Sequence, residues 1–377
     1  MTYYIGLMSG TSLDGADGTL VSFGDSDAKL QVGAHAHRPF DGALRAELLA
    51  LNTPGPAELH RSALAANALV RVYAEVVESL IEQGRVPREQ VRAIGAHGQT
   101  VRHRPGEFDG VGYTIQLNAP ALLAERTGID VVADFRSRDV AAGGTGAPLV
   151  PAFHRAVFGR PDSTVAVLNL GGIANLTVLD RSGRTIGFDC GPANVLMDLW
   201  THRHSGAPFD PDGAWAASGA VVPALLASMQ AEPYFGRPPP KSTGRDLFDA
   251  AWLERHLRAV GTVKPRPQDV QATLAELTAQ ACARDMSLHA ADAVDLLVCG
   301  GGALNRDLLG RLARALPRVS VRSTDSIGLP ANQVEACAFA WLARAFVDRM
   351  AGNLPDVTGA KGPRILGALY PSSGVTP

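Results

Sequence analysis

The sequence predicts an α/β protein with a mixed sheet in each half. Three observations predict it. Strand-like apolar runs alternate with amphipathic helical stretches along the chain. The chain twice begins a segment with strand, glycine turn and strand, first from Tyr3 to Phe23 and again from Val165 to Leu179. Many of its 40 glycines and 25 prolines stand where those runs end, at Gly10, Gly15, Gly18, Gly171, Gly172 and Gly300–Gly302. Glycine placed at strand ends marks tight turns and close backbone approach rather than floppy linkers.

Taken in order, Tyr3 to Leu7 and Gly18 to Phe23 read as strands around a polar turn. Leu44 to Leu51 and Ala63 to Gln83 carry helical periodicity, the second through Leu69, Val72, Tyr73, Val76, Val77, Leu80 and Ile81. Val91 to Ala96 is a strand ending in His97-Gly98-Gln99-Thr100, and Tyr113 to Leu117 is another. Pro120 to Thr127 is a helix closed by Gly128, where a left-handed cap belongs. Ile129 to Ala133 leads into Asp134-Phe135-Arg136.

The stretch Ala141 to Pro148 reads as the boundary or hinge. After it come the strands Val165 to Leu170, Asn175 to Leu179 and Thr185 to Phe188, then a helix from Ala193 to His202. Pro208 to Gly213 and Arg237 to Gly244 read as loops. Pro267 to Ala291 is a long helix, Leu296 to Cys299 a buried strand, Leu304 to Leu316 a helix, and Val334 to Met350 the last long helix. The expected division is residues 1–145 with about 351–377 in one lobe and 146–350 in the other.

Lys and Arg number 35 against 37 Asp and Glu, a net charge of −2. That gives no global attraction to nucleic acid or to an anionic membrane. No run reaches the ~18 apolar residues of a membrane span. The opening lacks the basic and apolar regions of a secretory signal. Cys190, Cys282, Cys299 and Cys337 are scattered, without metal spacing. These features predict a cytoplasmic protein without disulfide scaffolding. His103 and His154 have no partner at metal spacing either.

Five constellations carry chemistry. The turn Gly10-Thr11-Ser12-Leu13-Asp14-Gly15-Ala16-Asp17 crowds backbone N–H groups, hydroxyls and two carboxylates. Such a turn can bind an anion, with an Asp acceptable beside phosphate if Mg²⁺ or its waters intervene. The plainer reading is a hairpin loop. Gly171-Gly172 and Gly300-Gly301-Gly302 could admit phosphate to the backbone, or serve only tight turns and close packing. Asp189, at a strand end before Gly191-Pro192, suits a general base or a helix cap. The fifth set gathers His97, Gln99, Thr100, Asp134, Arg136, Arg138, Asp139 and Glu335. In it Arg136 suits a substrate carboxylate by its planar fork of donors, and a solvated ion pair is the alternative. The basic loop Pro238-Pro239-Pro240-Lys241-Ser242-Thr243-Gly244-Arg245 could touch substrate or nucleotide, or simply be solvated.

Together GLMSGTSLDGAD, AHGQTVRH, DFRSRDVAAGGTGAPLVPAFH, LNLGGIANLT, GFDCGPAN, PPPKSTGRD, LLVCGGGALN and DVTGAKGPRILGALYP resemble the anhydro-N-acetylmuramic acid kinase family. The likeness runs from residue 6 to about residue 370. It implies a two-lobed actin/hexokinase-like (ribonuclease H-like) ATPase fold, with mixed sheets flanked by helices and ATP in the interlobe cleft. It implies an ATP-dependent kinase that hydrolytically opens 1,6-anhydro-N-acetylmuramic acid and phosphorylates O6. The products are N-acetylmuramate 6-phosphate and ADP, a step of peptidoglycan recycling.

By that resemblance Asp189 is the base, and residues Gly10 to Asp17 with Gly171, Gly172 and Gly300–Gly302 bind the ATP phosphates. Asp14 would stand near Mg²⁺ through water. His97, Gln99, Asn194 and Glu335 would bind the sugar; Arg136 is assigned its lactyl carboxylate on guanidinium geometry alone, not on the resemblance. A homodimer is also implied. The sequence departs from the family pattern at Ala193 and Thr145, where relatives carry Gly and Gln; this touches fine substrate contacts and no group the mechanism uses. Two other readings compete: an ordinary amino-sugar kinase of the same fold, and an actin-like nucleotide-gated binding module.

Overall fold

The computed structural model describes residues 2–10, 12–24, 30–261 and 265–372. The apolar run that opens the chain becomes β1 (Tyr3–Met8), the inner strand of a first sheet. The sheet continues with β2 (Gly15–Ser22), β3 (Gln31–Pro39), β4 (Val91–Ala96) and, beyond a separate hairpin of β5 (Gln99–Pro105) and β6 (Gly112–Leu117), β7 (Val131–Ala133). A second sheet holds β8 (Thr164–Leu170), β9 (Ile173–Leu179), β10 (Thr185–Pro192), β11 (Ala293–Cys299) and β12 (Ser320–Ser323). The last strand, β13 (Ala368–Tyr370), closes the first sheet.

The two sheets share one strand order. The first runs β13-β7-β4-β1-β2-β3, the second β10-β9-β8-β11-β12. In each, three antiparallel strands in sequence order are followed by two parallel ones, β1 with β4 and β7, β8 with β11 and β12. The echoing hairpins of the sequence are therefore the first two strands of two like-ordered sheets.

Helices cover the first sheet on both faces. Successive side chains of a strand point to opposite faces. On one face Gly18 of β2 lies under Val76 and Leu80 of the helix Glu58–Gly84. On the other, Gly6 of β1 and Gly95 of β4, directly paired, lie against the backbone of the helix Val334–Val347. A methyl built on Gly6 would overlap Ala336 O, and one on Gly95 would overlap Phe339 O. The helix rests on the sheet backbone there, with no side chain between.

That contact decides the division of the chain. The compact units are Met1–Val157 with Gln333–Pro377, and Phe158–Asn332. The expected boundaries at 145 and 350 are corrected accordingly: the last long helix belongs to the first unit. The stretch Ala141 to Pro148 is not a boundary either. Buried Asp139 accepts Gly146 N at 2.8 Å, Asn353 Nδ2 at 2.6 Å and Thr358 Oγ1 at 2.8 Å. Thr145 N donates to Thr358 O at 2.8 Å, and Lys361 N to Ala142 O at 2.9 Å. The glycines there are tied within the first unit.

The predicted helix Pro120–Thr127 ends as expected, with Gly128 at φ 64°. The long helix after Pro267 runs to His289. The helix expected from Leu304 begins later, at Arg306, because Asn305 Oδ1 accepts Leu308 N and acts as its N-cap. The sequence reading had no strand at Gln31–Pro39 and no helices at Val150–Phe158, Pro223–Gln230 or Ala250–Ala259.

Gly6→Ala is expected to cost about 3 kcal/mol, since the added methyl meets helix backbone that cannot rotate away. Urea denaturation reads it; an unshifted midpoint would show that the helix is not seated on this glycine.

Candidate active site

In the first unit the β1–β2 turn is shorter than expected. Gly15, Ala16 and Asp17 are already strand residues of β2, paired with β3. Asp17 Oδ1 lies 3.2 Å from His35 Nε2 and 3.2 Å from His37 Nδ1 on that strand. The exposed turn is therefore residues 10–14, of which Thr11 falls outside the described residues. Leu13 N donates to Gly10 O at 3.2 Å, and Ser12 Oγ to Asp14 Oδ1 at 2.7 Å. Leu13 holds φ 58° with its side chain buried, a left-handed conformation that leucine adopts at a cost of ~1–2 kcal/mol. Core burial of the side chain offsets that cost and presents the polar residues around it outward.

Gly10 has room. A Cβ there would meet nothing closer than Ser12 Oγ at 3.6 Å. Among the described residues, packing does not require glycine at this position.

Behind the turn, Gln99 and His97 are buried. Gln99 Nε2 donates to Gly10 O at 3.2 Å, so it braces the turn. His97 Nε2 accepts from Arg136 Nε at 3.1 Å and Nη2 at 2.9 Å, which places the imidazole proton on Nδ1. Arg136 Nη1 donates to Gly146 O at 2.8 Å. Burial and the guanidinium charge hold His97 well below the ordinary 6.5. Burial likewise pulls Arg136 down to about 10, against the opposing charges of Glu335 and Asp139. Glu335, exposed on the first turn of the helix Val334–Val347, thus belongs to the surroundings of Arg136. Of the five guanidinium N–H groups, three have acceptors among the described residues.

In the second unit three predicted stretches converge. The β8–β9 turn is Gly171-Gly172, and the N–H groups of Ala193, Asn194 and Val195 donate to its carbonyls at 3.0 to 3.1 Å. Asn194 Nδ2 donates to Leu170 O at 2.9 Å. Gly300, at φ 78°, and Gly302 fit against Asn169 and Leu170 with no space for a Cβ. Those two glycines serve close packing. Gly171, Gly172 and Gly301 do not: a Cβ on each would find its nearest neighbour at 3.8 or 3.9 Å. These three glycines, in two backbone segments, are exposed or half-exposed and have spare room.

Asp189 stands on β10 at a register shift between Asp189 and Gly191. It does not cap the following helix, whose N-cap position is Ala193. Its Oδ2 accepts Ser242 Oγ at 2.9 Å and Thr243 N at 3.0 Å, while its backbone O accepts Tyr234 Oη at 2.7 Å. Oδ1 has no hydrogen-bond partner among the described residues. Burial raises the Asp189 pKa, against the lowering by Thr243 N–H, the Ser242 hydroxyl and the Lys241 charge. A carboxylate with one oxygen fixed, one open and a raised pKa is equipped to take a proton.

The sequence offers the loop around Lys241 as a ligand contact or a solvated loop, and does not single out Asp285 or Tyr234. Asp285 had a signal: an acid on the helical face of Cys282 and Met286, both buried, has to find a cation. Among the described residues no group of three or more His, Cys, Asp or Glu could hold a metal.

The His97–Arg136 contact gives a pH test. With its folded pKa depressed, His97 takes a proton only in the unfolded chain below pH 6.5, so stability is lost as pH falls from there. Its share approaches ~1.4 kcal/mol per pH unit. His97→Gln, whose Oε1 can still accept from Arg136, is expected to lose less stability between pH 7 and 5 in urea melts. Equal losses would mean that His97 is not held neutral.

The profile of the family described as anhydro-N-acetylmuramic acid kinase matches residues 2–372. Proteins of that name are similar over nearly the whole chain. The one from Variovorax paradoxus is 61% identical over 375 residues, covering 98% of this chain and 99% of its own. That of Bordetella petrii is 61% identical over 370 residues, covering 98% and 96%. That of Cupriavidus metallidurans is 58% identical over 371 residues, covering 98% and 97%. With its two like-ordered mixed sheets flanked by helices, the chain belongs to the anhydro-N-acetylmuramic acid kinase family, within the actin/hexokinase-like sugar kinases.

Proposed function

We propose that this protein is an ATP-dependent kinase that opens 1,6-anhydro-N-acetylmuramic acid with water and phosphorylates O6, in the recycling of cell-wall sugar. Family membership supports the substrate, and the half-held carboxylate of Asp189 is the observation that carries the chemistry. Asp189 Oδ1, open where Oδ2 is fixed, takes the proton of a water attacking the anomeric carbon. The C1–O6 bond breaks, and O6 takes the γ-phosphoryl group of ATP as ADP leaves. Phosphoryl transfer asks of a protein mainly positioning and neutralisation of charge.

The glycines with unclaimed space fit the phosphates. Gly10, Ser12, Leu13 and Asp14 in the first unit, and Gly171, Gly172 and Gly301 in the second, offer backbone that a phosphate chain can approach. Gly15, Ala16, Asp17, Gly300 and Gly302 then act by shaping those turns. Thr11 is assigned to the same turn by the family likeness. Asp14 is an exposed carboxylate with one hydrogen-bond donor among the described residues, Ser12. That suits Mg²⁺, which keeps most of its waters and binds through one or two carboxylates plus substrate phosphates. The ion supplies charge neutralisation when bound. Arg136 has donors left for the lactyl carboxylate. His97 and Gln99, both buried, act through Arg136 and the turn, and Glu335 and Asn194 complete the sugar-binding set. A cytoplasmic location and a homodimer belong to this reading on the strength of the family alone.

Asp189→Asn is expected to lower kcat by about a hundredfold to ten-thousandfold with nucleotide affinity nearly intact. An amide cannot accept the proton. Reaction in ¹⁸O-water should put label on the product's anomeric carbon; an unlabelled product would identify an ordinary kinase. The acid limb of kcat/KM should lie above the usual carboxylate value of 3.8, because burial dominates at Asp189.

A further inference from the structure

The loop that holds Asp189 has an anchor which the proposed chemistry has not used. Lys241 and Asp285 are almost wholly buried, with side chains 2% and 3% exposed. Lys241 Nζ lies 3.1 Å from Asp285 Oδ1 and 3.0 Å from Oδ2. It also sits 5.5 Å from the ring centre of Phe188 and 5.4 Å from that of Tyr234. Phe188 precedes Asp189 on β10, and Tyr234 Oη donates to the Asp189 carbonyl at 2.7 Å. The backbone of Lys241 takes part as well, since its O accepts Asp189 N at 3.1 Å.

Every group around the ammonium is therefore tied to Asp189 or to the long helix Pro267–His289 that carries Asp285. The residues that touch the carboxylate follow at once in the chain. Ser242 is exposed and Thr243 half-buried, in a segment without helix or strand. Little else in their own stretch fixes them. Pro238 to Pro240 restrict the backbone before Lys241.

A buried ion pair is a costly way to fill a core, and apolar residues of similar volume often serve stability as well or better. Stability alone does not account for this one. We propose that Lys241, paired with Asp285, is a positioning residue for Asp189: it anchors the segment whose Ser242 and Thr243 hold Oδ2, and so aims Oδ1. The inference rests on Asp189 being the base.

The charged and titratable groups facing Asp189 are Lys241 and Tyr234, with Asp285 behind Lys241 and Cys190 next in the chain. Burial raises the pKa of both the Tyr234 hydroxyl and the Cys190 thiol. Neither loses its proton in the acid range, so the acid limb of the rate profile reports the carboxylate.

Lys241→Met alone strands a buried Asp285 and endangers folding. The readable variant is Lys241→Met with Asp285→Leu, which removes both charges. With ATP and 1,6-anhydro-N-acetylmuramic acid, its kcat is expected to fall about tenfold to a hundredfold, with KM for ATP little changed. Its acid limb should move up by about one pH unit, through loss of a cation and of fixed donors. An unchanged acid limb and kcat in the folded double variant overturns the inference. If that variant fails to fold, Lys241→Gln with Asp285→Asn, which also removes both charges, carries the same two readings. Asp189→Asn is run beside them. If it keeps turnover, the base assignment fails; if it is dead while the double variant matches wild type, only the anchoring role fails.

Discussion

The first unit depends on one contact, the backbone-to-backbone seating of the helix Val334–Val347 on Gly6 and Gly95. Two paired strands give up their side chains at the same level, and the helix descends into the space. Because this helix follows the whole second unit in sequence, its seating makes that unit an insertion between two parts of the first. It also sets the local chemistry. The Phe339 ring lies tilted 4.6 Å from that of His97 and 5.7 Å from that of Phe135, so the helix presses on the residues that flank Arg136. Glu335, one turn earlier, bears on the guanidinium charge.

The two sheets have the same strand order but finish their first turns differently. In the first unit a buried leucine in a left-handed conformation carries the exposed turn of hydroxyl and carboxylate. In the second the turn is two bare glycines, buttressed by Asn194 and by glycines packed against Leu170. One turn presents side-chain oxygen, while the other is bare backbone.

What the sequence made legible was local. The glycine turns, the Pro120 helix with its Gly128 cap and the acid at the end of a strand each show in a few adjacent residues. The motif lengths also made the family legible. What it hid was set by contacts distant in the chain. Gly15 to Asp17 look like turn residues until β3 pairs with them. The stretch Ala141 to Pro148 looks like a hinge because its fastenings, Asn353 and Thr358, come some two hundred residues later. Lys241 looks like a solvated loop cation because Asp285 lies 44 residues away on a helix.

Three of the buried or half-buried aspartates show how partners decide the work of a side chain. Asp139 has both oxygens occupied, by Gly146 N on one and by Asn353 and Thr358 on the other. A carboxylate so held serves as a clamp. Asp285 gives its charge to a single ammonium under two aromatic rings, and holds a segment by that means. Asp189 is satisfied on one oxygen only, and burial raises its pKa while its donors and a nearby cation restrain the rise. Full satisfaction would make it another clamp, and without donors nothing would fix its orientation. The intermediate state is the one a base requires, and it exists only if the donors on Oδ2 stay in place. On the proposed role of Lys241, that requirement accounts for the ion pair buried beside them.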